Sequence, residues 1–193
     1  MTSDPVRRAL TESALRPLPK PARDLLESLA APPRLVAHLR AVHDVAWQLA
    51  DWVRQHYPVE FDRSAVLFGA AVHDIGKTLH VGELSGPGSD HEHAGYEILL
   101  AHGVDPRLAR FARNHASWHA DGIDLEDLLV SLADKVWKGK RVPELEQLVT
   151  DRLAAAGDQE PWEVFMALDD ELGRIAEDAD RRLAFQASYP VTV

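Results

Sequence analysis

Apolar residues recur at spacings of three and four along nearly every stretch between proline and glycine punctuation. No sustained period-two alternation rich in β-branched residues interrupts them. The pattern predicts an all-α fold, with helices over about 5–16, 21–31, 33–56, 62–75, 90–102, 105–119, 124–138, 143–156 and 161–186. Asp62, Asp90, Asp105 (before Pro106) and Asp124 each offer a carboxylate to the first free amides of the helix that follows. Gly76 and Gly103 read as helix stops. The segment 78–89, with Gly82, Gly86, Pro87 and Gly88, is expected to be a loop. The start, punctuated by Pro5, Pro17, Pro19 and Pro21, reads as short helical pieces packed on the core, and 189–193 as a tail.

On the helix 33–56 the apolar stripe is Leu35, Leu39, Val42, Ala46, Leu49 and Val53. His38 falls on its edge. His43 falls beside Arg40, Asp44, Trp47 and Arg54 on the wetter side and is expected at the surface.

At 193 residues, 46% hydrophobic and 27% charged, the chain is long enough for one packed core, and one domain, 1–193, is the default. A net charge of −10 disfavours long nucleic acids as partners, which call for lysine and arginine along the phosphates. The absence of cysteine removes disulfides, thiolate zinc sites, iron–sulfur clusters and cysteine nucleophiles, leaving only nitrogen and oxygen ligands. Residues 1–10 hold no apolar signal region and the longest apolar run, 65–72, is too short to span a bilayer, so a cytoplasmic protein without a membrane partner is expected. Asp169, Asp170, Glu171, Glu177 and Asp178 give the last helix an acidic face, either solvated or part of a homodimer contact.

The chemistry concentrates in Ala70-Ala71-Val72-His73-Asp74-Ile75-Gly76-Lys77, an apolar helix ending in two adjacent ligand types. Burying His and Asp behind such a run is costly unless they pair or hold a metal. Neighbours on a regular helix point about 100° apart, so the two converge most easily where the helix ends. Gly76-Lys77-Thr78 is not a phosphate loop, because Ala71 stands where that motif needs glycine and the preceding segment is helical.

These residues resemble the HD superfamily of metal-dependent phosphohydrolases, whose pattern is a histidine on an earlier helix, the His-Asp pair, and a later aspartate. The matching positions are His38, His73-Asp74 and Asp134, within Leu132-Ala133-Asp134-Lys135. Two-metal members add two histidines between the pair and the last aspartate, and His91 and His115 stand there. The resemblance covers roughly 33–138, leaving flanking helices 1–32 and 143–188 outside it. It implies a single HD-type helical bundle and a site that holds one or two divalent ions (Fe, Mn, Co, Ni or Zn) on His38, His73, Asp74, His91, His115 and Asp134. The family spacing, histidine four residues before glycine, selects His91 over His93, which is expected in solvent. His115 and His119 lie one turn apart on the predicted helix, and His119 is expected to serve substrate chemistry beside His115.

Counting four neutral imidazoles, two carboxylates and two divalent ions gives the site a charge of about +2, which attracts phosphate to an acidic protein. The implied activity is hydrolysis of a phosphoester or phosphoanhydride in a small, nucleotide-type anion. Asp74, Lys77 and His119 are the residues expected to take part, Lys77 as a phosphate contact. Lys135, Lys138, Lys140 and Arg141 form a second basic cluster, to steer anions or solvate a helix end. Trp118 and Trp137 read as core anchors or as platforms for a base. Two alternatives stay open: a di-iron oxygenase on the same six ligands, and a non-catalytic binding or signalling module.

Overall fold

The computed structural model describes residues 4–191, and every regular element among them is helical. The α-helices are α1 (Pro5–Thr11), α2 (Lys20–Ser28), α3 (Pro33–His56), α4 (Arg63–Val72), α5 (Asp90–Ala101), α6 (Pro106–Asn114), α7 (Leu125–Val136), α8 (Pro143–Ala156), α9 (Pro161–Ala176) and α10 (Ala179–Ala187). The starts follow the sequence chemistry: Asp62, Asp105 and Asp124 accept amides of α4, α6 and α7. Asp90 is already helical and caps nothing, since Ser89 precedes α5 without a side-chain bond.

The 24-residue α3 is the axis. α4 and α7 pack on it and on each other, α6 packs on α4 and α5, α8 packs on α7, and α1 and α10 also pack on α3. Every residue of α4 from Ala65 to Val72 is buried. That explains its continuous apolar run: the helix is enclosed all round rather than on one stripe.

The N-terminal cover corrects the reading of α3. Arg40, His43 and Asp44 are buried rather than wet, because α1 and the chain after it lie over them. The Arg40 guanidinium donates to the carbonyls of Ala9 (2.7 Å), Glu12 (2.7 Å) and Arg16 (3.3 Å), and at short range to Leu15. It thereby satisfies one open carbonyl in the last turn of α1 and ties down the chain that follows the helix.

Three further expectations change. The single helix 161–186 is two, with a turn at Glu177 and Asp178. That turn brings Arg182, fully buried, back onto the carbonyls of Trp137 (2.7 Å) and Ile175 (2.5 Å). The segment 78–89 contains a 3₁₀ turn at Val81–Leu84. The described end of the expected tail is docked: Tyr189 is buried, and its carbonyl accepts from Arg34 Nε at 2.9 Å. Residues 192 and 193 of that segment lie outside the described residues. No described helix is long and apolar enough to cross a membrane.

Candidate metal centre

α4 carries the His-Asp pair to the middle of the helical layers. His73 caps α4, its amide still bonded to Gly69 O at 2.8 Å, and Asp74 then leaves the helical path at φ −102°, ψ 13°. That departure lets two adjacent side chains face one centre. The stop precedes Gly76, which belongs to the 3₁₀ turn Ile75–Thr78, so its role is packing rather than termination. A Cβ on Gly76 would meet the backbone of His91 and Gly95 in α5.

Six side chains converge there from five helices and their ends. His38 comes from the second turn of α3, His91 from the first turn of α5, His115 from the end of α6 and Asp134 from the last turn of α7. His38, His73, Asp74, His91 and His115 are all buried, and Asp134 is nearly so. Asp74 sits between two groups. Its Oδ2 is 3.1 Å from His38 Nε2 and 3.7 Å from His73 Nε2, while its Oδ1 is 3.0 Å from His91 Nε2 and 3.5 Å from His115 Nε2. Asp134 Oδ1 closes the first group, 3.3 Å from His73 Nε2 and 3.7 Å from His38 Nε2. Potential ligand atoms of His38, His73, Asp74 and Asp134 lie within 4.8 Å of one another, and so do those of Asp74, His91 and His115.

These close approaches lack hydrogen-bond geometry. The Nε2 atoms of His38, His73 and His91 and Oδ1 of Asp74 are buried with no partner. Unpartnered buried polar atoms are costly, and several aimed at one point are the arrangement a cation satisfies. The opposite edges of three rings are tied. His73 Nδ1 donates to Ala70 O (3.0 Å), His115 Nδ1 to Ala112 O (2.9 Å) and His91 Nδ1, at short range, to Glu83. With Nδ1 carrying the proton, each Nε2 keeps its lone pair for the centre. The donor set thus fits divalent metal binding, all nitrogen and oxygen.

Ionisation favours the same outcome at Asp74, Asp134, His38 and His115. Burial alone would raise the carboxyls of Asp74 and Asp134, but their histidine neighbours, and Lys135 for Asp134, hold both below the usual carboxylate range. Burial pushes His38 down and His115 down to about 4, so both are neutral bases. His73 and His91 are raised against burial by the carboxylates facing them.

Two lysines edge the centre. Lys77 Nζ is 2.6 Å from Asp74 Oδ2, and Lys135 Nζ is 2.7 Å from Asp134 Oδ2. Lys135 also lies over the Trp118 ring, 5.7 Å from its centroid, and the Trp137 ring meets His38 edge-on at 5.0 Å. Lys138 and Lys140 are exposed, and Arg141 is engaged by Glu146 and Asp169 at 2.7 and 2.6 Å.

His119 is not brought into the cluster. α6 ends at Asn114, so residues 115 and 119 share no helical face, and His119 is exposed with its Nε2 3.4 Å from Glu144. His93 is exposed, as expected. Glu83 is the residue sequence reasoning missed. It lies in the loop segment, and no periodicity marks an acid eight positions before the histidine it bonds.

Comparison with known proteins adds a family. The HD domain family matches residues 35–137, a span containing all six clustered side chains. A tRNA (cytidine(56)-2'-O)-methyltransferase from Picrophilus torridus is 29% identical over 140 residues, covering 65% of this chain and 38% of that protein. The chain therefore spans well under half the length of this relative. No solved structure matches the chain.

Proposed function

The chain belongs to the HD-domain family, and from that premise we propose that it is a metal-dependent phosphohydrolase. Its substrate in this reading is a phosphoester or phosphoanhydride of a small, nucleotide-type anion. The observation that carries the reading is Asp74, whose two carboxylate oxygens serve two separate groups of imidazoles. His38, His73, Asp74 and Asp134 would hold one divalent ion, and Asp74, His91 and His115 a second. Ions held there supply Lewis acidity, which makes water nucleophilic near neutral pH and offsets charge on phosphoryl oxygens. The residue set admits Fe, Mn, Co, Ni or Zn.

The chain's own groups do the rest. Asp74 is buried as a carboxylate, so it would hold and orient the ions rather than donate a proton. Lys77 and Lys135 place ammonium groups beside the two acidic ligands, where an arriving phosphate would compete for their donors. His119, facing Glu144 in solvent, takes no part in this mechanism. The likeness to the methyltransferase covers only 38% of that protein and assigns no methyl transfer to this chain.

The test is metal analysis paired with anaerobic phosphate release from a nucleotide panel, on wild type and Asp74→Ala. Metal-dependent release that the substitution abolishes supports the proposal. Release unaffected by Asp74→Ala, or substrate oxidation with oxygen uptake by the ferrous protein in place of hydrolysis, overturns it.

A further inference from the structure

His91 differs from the other tethered histidines of the centre in where it stands on its helix. His73 and His115 end their helices, and each finds a carbonyl three residues back, in the turn before it, to receive its Nδ1 proton. His91 is the second residue of α5, so no preceding helical turn exists. Glu83, reaching in from the Val81–Leu84 turn, takes the place of that carbonyl. One of its oxygens accepts from both Nδ1 and the backbone N–H of His91, the latter at 3.3 Å; the other accepts from the Asp90 N–H at 3.3 Å. The side chain is 12% exposed. The loop is folded around it so closely that a Cβ on Gly88 would lie 2.4 Å from Glu83 Cδ.

His80, Glu83 and Asp90 also bring ligand atoms within 4.8 Å of one another. Both Glu83 oxygens are already engaged by α5, and Asp90 is exposed, so the geometry joins Glu83 to His91 rather than to a third cation.

We infer that Glu83 is a positioning residue for the second cation position. It fixes the His91 ring with Nε2 toward Asp74 Oδ1 and, through its negative charge, strengthens His91 as a donor in a way the neutral carbonyls behind His73 and His115 do not. The inference rests on the two-position reading above. It makes the segment between the ligand clusters part of the site: withdrawal of the Val81–Leu84 turn would free the His91 ring.

Cobalt(II) titration of the metal-stripped full chain, followed by calorimetry and visible absorption, tests this on wild type, Glu83→Ala, Glu83→Gln and His115→Ala. Wild type should take up two equivalents, and His115→Ala should show which spectral component belongs to the second. Glu83→Ala should weaken that component about 10- to 100-fold and leave the other unchanged. Glu83→Gln, whose neutral amide oxygen still accepts from Nδ1, should recover the part of the loss that ring orientation supplies and leave the part that the charge supplies. Uptake by wild type of two equivalents with both, or neither, weakened in Glu83→Ala overturns the role of Glu83 alone, as does equal weakening in the Gln and Ala variants. Uptake of fewer than two equivalents by wild type overturns the two-position reading itself.

Discussion

Gly76 and His91 meet backbone to backbone: a Cβ on residue 76 would stand 1.9 Å from the His91 carbonyl oxygen. The glycine two positions after the His-Asp pair is therefore the surface on which α5 docks, with Gly95 forming the other side of the contact. Gly76→Ala must drive α5 away from the pair, since neither backbone can yield by a rotamer change. It should lower stability by about 3 kcal/mol or more. Gly103→Ala, at φ +77° in open space, should cost only about 1 kcal/mol of backbone strain. Urea denaturation of the two variants compares them directly, and equal losses would remove the docking role from Gly76.

The division of Asp74 between two imidazole groups predicts a pattern of metal loss rather than a uniform one. His38→Ala and His115→Ala should each reduce uptake from two ions to one, and Asp74→Ala should abolish both along with at least about 100-fold of activity. Far-UV circular dichroism should stay helical in all three. His119→Ala should bind like wild type, because its ring faces Glu144. Elemental analysis after gel filtration reads the stoichiometry, and retention of two ions by Asp74→Ala would refute the bridging arrangement.

Much of this was legible in the residue pattern, and the failures share a cause. Helical periodicity located α3, α5, α7 and α8 to within two residues, because each presents a regular apolar face or a clear proline or aspartate start. The order of ligand types along the chain marked all six side chains that the fold gathers. What periodicity does not carry is which outer face another element covers. Arg40, His43 and Asp44 look solvated on a helical wheel and are buried only because α1, remote in sequence, lies across them. Helix ends were the other weakness: extending α6 by one turn put His119 on the face of His115, and running α9 into α10 hid the turn that seats Arg182.

His43 gives the protein an acid sensitivity separate from the metal centre. Both its ring nitrogens are buried without partners. Burial pushes its pKa down to about 4, with Arg16, Arg40 and Arg63 assisting and Asp44 opposing. The folded state thus refuses a proton that the unfolded chain accepts below its ordinary value of 6.5. The contribution is neutral above that pH and turns destabilising as pH falls from 6.5 toward 4. Between pH 7.5 and 4.5 wild type should lose about 2–3 kcal/mol more than His43→Leu. Denaturant midpoints at the two pH values give the difference. Parallel losses in both proteins would mean that His43 charges freely in the fold.

Divalent cations should stabilise the folded chain through the cluster and nowhere else. Helices α3, α4, α5, α6 and α7 all contribute to the His/Asp cluster, so the set exists only when they are packed, and an ion that binds there favours the folded state by mass action. At a free concentration of about 100 times Kd, each ion should add about 2.7 kcal/mol, or about 5–10 °C in Tm for a chain of this size. Chelation should reverse the gain. Relief of the unpartnered Nε2 atoms is local to the site, so the Tm of Asp74→Ala should stay flat across the same titration. Scanning calorimetry of both proteins with and without Mn(II) decides it. An equal rise in the variant would place the stabilising ions on the acidic surface and away from the histidines.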